Sequence, residues 1–230
     1  MRLRSALGCL KASAPAALKA ALALFIIVVA LQVRGASASD SVSTYADREA
    51  SAVLVSSEDG LYTSVDIVVA DSERTTAAGV ERHLNASIEI LQSDSKRPNA
   101  QQIDVAGSVE GEPGALQMNG DLTEASVELT IPVCGAKALH NGRLKLRPFD
   151  DCFDVEVNLR WTGTGQLVIE GGPSDLPVDG CTVHLEATSQ RREASAEGGV
   201  FAGGVNLTPD GSSYAALSAF GETSTLTCPD

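Results

Sequence analysis

The feature that most constrains the fold is a nine-residue run, 153–161, in which apolar and polar side chains alternate without exception. Its apolar members are Phe153, Val155, Val157, Leu159 and Trp161. Successive side chains of a strand point to opposite faces, so this spacing places all five on one face, whereas a helix would scatter them around its circumference. The run therefore predicts a strand with one face in the core and the other in water.

Shorter runs with the same period recur along the chain. They lie at 62–70, 84–91, 103–109, 126–133 and 182–187, with weaker candidates at 51–56, 166–170, 199–207, 214–220 and 224–228. Turn-forming sequences separate them, including Asn119-Gly120, Asn141-Gly142, Gly171-Gly172-Pro173 and Asp179-Gly180. The segment 71–82 lacks a clear period and is predicted to be a loop. This pattern favours an all-β fold, an antiparallel β-sandwich or barrel of short strands.

The first 38 residues have the composition of an export signal. They contain five basic residues and no acidic one, and a mostly apolar, uncharged run at 20–33 precedes Ala36-Ser37-Ala38. A basic segment, a short apolar core and an A-x-A site are the parts of a cleavable signal peptide. The apolar run of 14 residues is shorter than the roughly 20 that a bilayer-spanning helix needs. We expect a signal peptide at 1–38 that is cleaved near Ala38. The remaining residues, 39–230, are then one secreted, extracellular domain that does not insert into the membrane. An uncleaved N-terminal anchor is the alternative.

Four cysteines follow the signal: Cys134, Cys152, Cys181 and Cys228. An even number in an exported chain indicates disulfide bonds, because these form and persist in oxidising compartments. Three pairings are open, and pairing Cys134 with Cys152 and Cys181 with Cys228 is favoured because short loops close most easily. Zinc ligation is the alternative, although the usual C-x-x-C spacing is absent.

The domain after the signal is strongly acidic. Loss of the five basic residues leaves 12 basic and 30 acidic side chains, a formal charge of −18. This charge argues against nucleic acid as a partner, because neutralising phosphates requires a basic surface. One third of the basic residues lie between two of the cysteines: Lys137, Arg143, Lys145 and Arg147. They form a possible anion-recognition loop; alternatively, they only balance neighbouring carboxylates.

No catalytic or metal-binding arrangement emerges from the sequence. There is no G-x-S-x-G elbow, and His83, His140 and His184 lie in three unrelated places. No cofactor is therefore expected. A structural calcium ion is the remaining alternative, with the densest carboxylates at Asp150-Asp151 with Asp154 and at Glu58-Asp59, but neither matches the D-x-D-x-D-G loop.

Three short segments resemble a pattern in uncharacterised bacterial secreted all-β proteins. They are Arg160-Trp-Thr-Gly-Thr-Gly165, Arg192-Glu-Ala-Ser-Ala196 and Asn206-Leu-Thr-Pro209. The resemblance covers only the C-terminal part of the chain. It implies export and β structure and carries no activity.

The missing reactive groups favour a non-catalytic extracellular binding, adhesion or surface-structural module. Its partner would be an extracellular protein or a surface polymer, recognised by loops on a rigid scaffold. The alternative is a secreted carboxylate-dependent hydrolase, since two of the 30 acidic residues could form an acid–base pair. Two carboxyl groups with raised pKa in a cleft would favour the hydrolase, whereas an exposed apolar patch or a long free sheet edge would favour the binding module.

Overall fold

The computed structural model describes residues 41–58, 61–94, 101–134, 138–140, 143–145, 152–202, 205–206 and 212–229. The expected signal peptide lies outside them. Thirteen strands occur there: β1 Ser41–Glu58, β2 Leu61–Thr76, β3 Gly79–Asp94, β4 Gln101–Gly111, β5 Gln117–Met118, β6 Glu124–Cys134, β7 Ala138–His140, β8 Arg143–Lys145, β9 Cys152–Gly163, β10 Val168–Val178, β11 Cys181–Ala202, β12 Val205–Asn206 and β13 Ser212–Thr227. The all-β prediction is confirmed. Across these ranges there is no helix with the length and apolarity that a membrane crossing requires.

Eight of the strands close into a barrel-like ring. They run in the order β1-β2-β3-β4-β6-β9-β11-β13, and β13 pairs back onto β1, with every pair antiparallel. The shortest seam joins β4 to β6 through only two residue pairs, Ala106 with Cys134 and Gly107 with Val133. A Cβ atom on Gly107 would lie 2.2 Å from the carbonyl oxygen of Pro132. The seam therefore closes only because this position carries no side chain.

Aliphatic side chains fill the interior of the ring. On β9 all five apolar residues of the alternating run are buried and the polar residues between them are exposed, as the sequence predicts. Trp161 is fully buried, and its Nε1–H donates to the main-chain carbonyl of Ser51 at 3.0 Å. Because β9 and β1 are not neighbours in the ring, this hydrogen bond crosses the interior and ties its two sides together.

The segment 112–123 folds over one end of the ring. Its Leu116 and Leu122 are buried in the main core, and the Gly114 amide donates to Asp71 Oδ2 at 3.2 Å. Leu122 has a φ of 54°, a left-handed conformation that costs an L-residue about 1–2 kcal/mol. Burial of the leucine side chain offsets this cost and holds the loop in place.

Five ring strands continue beyond the ring and, together with β10, form an open sheet of six strands, which we call the extension. It consists of β10 and of residues 41–49, 70–76, 79–83, 181–193 and 218–227. The β10–β11 hairpin turns at Asp179 and Gly180, whose φ values of 49° and 87° suit a two-residue turn. β11 has 22 residues because it runs through both the extension and the ring.

Two local predictions are wrong, and the extension explains both. The predicted loop at 71–82 is a hairpin in which β2 continues to Thr76 and β3 starts at Gly79. Its polar residues pair across the strands, as in the 2.7 Å ion pair of Arg82 with Glu73, because the hairpin lies outside the core. The predicted turn Gly171-Gly172-Pro173 lies within β10. Several strands are also longer than expected, since each continues from the ring into the extension.

Candidate functional site

One face of the extension, which we call the half-buried face, is the candidate site. On β1 its members are Ser43, Tyr45, Asp47 and Glu49, all partly buried, whereas the residues that alternate with them are exposed. On β13 its members are Ser218, Phe220, Glu222 and Ser224. The other face continues the inner surface of the ring and carries exposed residues such as Thr44 and Thr223. Burial is therefore concentrated on one side of the open sheet.

Two aromatic rings and two carboxyl groups occupy four adjoining positions of this face, which we call the quartet. Tyr45 lies directly opposite Glu222, and Asp47 lies directly opposite Phe220. Opposite residues of an antiparallel pair project from the same face with Cβ atoms about 4.5–5.5 Å apart. The two rings thus share one diagonal, with centroids 6.1 Å apart and planes at 52°. The two carboxyl groups share the other diagonal.

Burial dominates the electrostatics of the quartet. Glu222 is 5% exposed, and its Oε1 atom has no hydrogen-bond partner among the described residues. Burial raises the pKa of its carboxyl group. Burial also raises the pKa of Asp47; a hydrogen bond from the Arg48 backbone opposes this shift, and the charge of Asp71 adds to it. The pKa of Tyr45 is raised by burial and by the nearby Asp47 charge. The quartet therefore disfavours uncompensated negative charge.

The strands on either side of the quartet differ in what they present. On β2, Arg74 stands opposite Tyr45 and Ser72 opposite Asp47. On β11 the corresponding positions are Ala187 opposite Glu222 and Ser189 opposite Phe220. Small side chains therefore flank the buried carboxyl group on the β11 side, and the charged Arg74 lies on the far side of β1.

A polar cleft lies at the covered end of the ring. It has a volume of about 590 Å³ and is lined by Arg48, Asp71, Glu124 and Arg160 among others. A neighbouring cleft of about 380 Å³ shares Arg48, Asp71 and Gly114. Guanidinium and carboxylate groups line both clefts. The carboxyl pair with raised pKa lies on the half-buried face, which is therefore the stronger candidate.

The four cysteines form the two disulfide bonds that the short-loop argument predicted. Cys134 bonds Cys152 with an S–S distance of 2.05 Å, and Cys181 bonds Cys228 at 2.02 Å. The first bond joins directly opposite residues of β6 and β9. The second joins β11 to the residue that follows β13, one position beyond the Thr182–Thr227 pair.

The possible anion-recognition loop falls largely outside the described residues. Arg143 and Lys145 lie on β8, which pairs with β7, and Lys137 and Arg147 are not among the described residues. The hypothesis for this loop stays a prediction.

The three histidines remain apart, on β3, β7 and β11. His184 Nδ1 lies 2.8 Å from Asp175 Oδ1 on the exposed surface, a local pair between neighbouring strands. Among the residues whose positions are described, no three His, Cys, Asp or Glu side chains form a group that could hold a metal ion. Of the calcium candidates, Asp154 lies on β9 and Glu58 ends β1, while Asp59, Asp150 and Asp151 lie outside the described ranges.

Sequence reasoning did not single out the quartet. Tyr45 and Asp47 come from the first described strand and Phe220 and Glu222 from the last, so only their pairing brings them together. The available signal was the alternation of Ser43, Tyr45, Asp47 and Glu49, which marks one face of a strand but not its neighbour.

Known proteins show little similarity to this chain. Neither a family model nor a curated protein matches the chain. A crystal structure from Nitrosomonas europaea, provisionally assigned as AttH, aligns with 10% sequence identity and a TM-score of 0.27, covering 83% of this chain and 52% of that one. The chain thus spans about half the length of this neighbour. The similarity is too low to support an argument about fold or function.

Proposed function

We propose that the mature domain is a non-catalytic extracellular binding module whose half-buried face receives an extracellular protein or a surface polymer. The observation that carries this proposal is the state of Glu222, which is 5% exposed and has an unpartnered Oε1 atom. A buried polar group without a partner costs about 1–3 kcal/mol, and more when it is charged. A bound partner that satisfies this group would remove the cost.

Two observations support export, and a third supports an oppositely charged partner. Two disulfide bonds are typical of an oxidising compartment, and the first 38 residues have the composition of a signal peptide. The formal charge of −18 after signal removal favours cationic groups on the partner.

The free edge of the sheet is a less suitable binding element than the half-buried face. Among the described strands β10 pairs with β11 alone, and its Val168 and Ile169 are 51% and 58% exposed. Pro173 and Pro177 within this strand lack backbone N–H donors. Prolines on an edge strand hinder the addition of another strand. We therefore assign binding to the face.

The test compares two arginine substitutions on the same strand. Phe220→Arg blocks the half-buried face, and Thr223→Arg adds the same charge to the opposite face. We expect the labelled wild-type domain to bind saturably to the surface of its producing cells, and Phe220→Arg to weaken binding at least tenfold. Thr223→Arg should retain it. Circular dichroism confirms that both variants fold. Absence of saturable binding by the wild type, or equal loss in both variants, would refute the proposal.

A carboxylate-dependent hydrolase is the second candidate because Asp47 and Glu49 project from the same face of β1. Alternate residues of a strand are about 6.8 Å apart, and inverting glycosidases hold their carboxyl groups roughly 6.5–9.5 Å apart. Burial raises the pKa of Glu49, as does the charge of Asp47, while Arg191 opposes the shift. Cleavage of chromogenic glycosides that is lost in Asp47→Asn and Glu49→Gln, and kept in Glu186→Gln, would replace the binding module with this enzyme.

A further inference from the structure

The quartet combines the groups that recognise an organic cation. We propose that Tyr45, Phe220, Asp47 and Glu222 bind the ammonium group of an alkylammonium ligand, held between two aromatic rings and two carboxylates. This inference rests on the proposed function and names the chemical group that the half-buried face recognises.

The geometry of the quartet suits this ligand. The faces of aromatic rings carry partial negative charge and attract cations that lie within about 6 Å of the ring centre. The ring centroids of Tyr45 and Phe220 are 6.1 Å apart, so a cation above their midpoint is within reach of both. Asp47 and Glu222 complete the square on the other diagonal. The two rings and the two carboxyl groups thus project from one side of the sheet at adjoining positions, where one cation can contact all four.

Among the described residues, no cation stands directly opposite Glu222 on either neighbouring strand. Burial is the cause that raises the pKa of its carboxyl group. The charged groups of this face on neighbouring strands are Asp47 and Glu49 on β1, Arg74 on β2, Arg191 and Glu193 on β11 and Glu170 on β10. Arg74 lies across β1 from Glu222, and Arg191 acts on Glu49. An ammonium ligand would supply the missing positive charge.

Small residues leave room beside the buried carboxyl group. Ala187 lies opposite Glu222 on β11, and Gly172 lies opposite Ala187 on the edge strand β10. A Cβ atom placed on Gly172 would meet no atom within 4 Å. A row without bulky side chains therefore leads from the free edge of the sheet to Glu222, and an alkyl chain attached to the ammonium group can lie along it.

The same residues suit an organic cation better than a metal ion. Calcium takes six to eight oxygen ligands, and the described residues hold no group of three or more His, Cys, Asp or Glu side chains arranged for a metal. Aromatic rings contribute nothing to such a coordination shell. Both rings contribute to binding an alkylammonium ion.

The experiment is a titration of the mature domain with n-butylammonium chloride, followed by calorimetry and by thermal unfolding. n-Butanol serves as the neutral ligand of similar shape, and sodium chloride matches the ionic strength. We expect n-butylammonium to bind and n-butanol not to bind. Glu222→Gln should weaken n-butylammonium binding at least tenfold. Glu186→Gln makes the same charge change on the opposite face and should leave the affinity unchanged.

Two further measurements separate the contributions of the rings and the carboxylates. Phe220→Leu should weaken the binding of tetramethylammonium, which has no N–H donor and depends on the rings. Binding should also weaken as the pH falls and the Asp47 and Glu222 carboxylates become protonated.

Three outcomes would overturn the inference: no binding of n-butylammonium by the folded wild type, equal binding of n-butanol, or equal loss of affinity in Glu186→Gln and Glu222→Gln. The cell-surface assay distinguishes this failure from failure of the proposed function. If Phe220→Arg abolishes surface binding but n-butylammonium does not bind, the binding module stands and its ligand is not an alkylammonium group. If the wild type shows neither kind of binding, both proposals fall.

Discussion

Removing each disulfide bond separately should destabilise the protein by different amounts. The chain-entropy treatment assigns a cross-link a stabilisation that grows with the length of the loop it closes. The sequence separations are 47 residues for Cys181–Cys228 and 18 residues for Cys134–Cys152. These separations correspond to about 4 kcal/mol and about 3 kcal/mol at 25 °C.

The two bonds have the same backbone setting but differ in exposure: Cys134 and Cys152 are exposed, whereas Cys181 and Cys228 pack against a small buried apolar cluster. Each spans two neighbouring antiparallel strands, and the Cα–Cα distances are 4.2 Å for Cys181–Cys228 and 4.1 Å for Cys134–Cys152. The difference of about 1 kcal/mol that loop length predicts arises in the unfolded chain. The packing lost at Cys181 and Cys228 adds to it in the same direction.

The assay is differential scanning calorimetry of the two double-alanine variants, Cys181→Ala/Cys228→Ala and Cys134→Ala/Cys152→Ala. A protein of this size loses about 2–4 °C in Tm per kcal/mol. We expect a decrease of roughly 8–16 °C for the longer loop and roughly 6–12 °C for the shorter one. A larger decrease for the shorter loop, or an unchanged Tm in both variants, would refute the reasoning.

Three further predictions concern the core, the backbone and the buried acids. Gly198→Ala should reduce the free energy of unfolding in urea by about 1–3 kcal/mol, because φ is +130° and the added Cβ would lie 2.2 Å from a main-chain oxygen. Gly221→Ala is the control, since nothing lies within 4 Å of the added Cβ there, and it should reduce the free energy of unfolding by less. Equal reductions would contradict the argument. Trp161→Phe should reduce the free energy of unfolding in the same assay by about 1 kcal/mol for the lost hydrogen bond, plus a contribution from lost packing. Ser51→Ala should reduce it little, because the acceptor is the main-chain carbonyl of this residue. Equal reductions in the two variants would show that this hydrogen bond does not contribute. The raised carboxyl pKa values on the half-buried face mean that the folded state binds more protons than the unfolded state between the ordinary carboxyl pKa and the raised value. The free energy of unfolding should therefore fall as pH rises through that interval, and Glu222→Gln should reduce the fall in urea titrations from pH 4 to pH 7; an identical pH dependence in the variant would exclude Glu222 as a cause.

The ring was largely predictable because its strands obey one simple rule. In β9 the apolar residues face a dry interior and the polar residues face water, so burial follows the sequence period. The Asp179–Gly180 turn was equally readable, since both residues adopt positive φ. Strict alternation predicts burial wherever one face of a strand is covered by the core.

The extension was not predictable by the same rule. The hairpin at 71–82 has polar residues on both faces because no hydrophobic core covers either face completely. Gly171 and Gly172 suggested a turn, yet both lie within β10 and pair with β11, with φ values of 141° and 153° that favour glycine. Local sequence therefore indicated a break where the chain continues as a strand.

The quartet depends on information that no local pattern contains. Tyr45 and Glu222 meet because of the register between β1 and β13, which is fixed along nearly the whole length of both strands. A shift of this register by one residue would place the rings and carboxyl groups on opposite faces. The candidate site is thus a product of long-range pairing, which a single sequence does not reveal.

The pairing of β1 with β13 also has a consequence for how the protein folds. The first and last described strands are neighbours, so the ring of strands cannot close until the C-terminal segment has been synthesised. Until then β1 has only β2 beside it, and one edge stays open to other chains. Non-local closure of this kind slows folding and prolongs the exposure of unpaired edges. A truncation that removes β13 should therefore yield aggregates rather than a smaller folded protein.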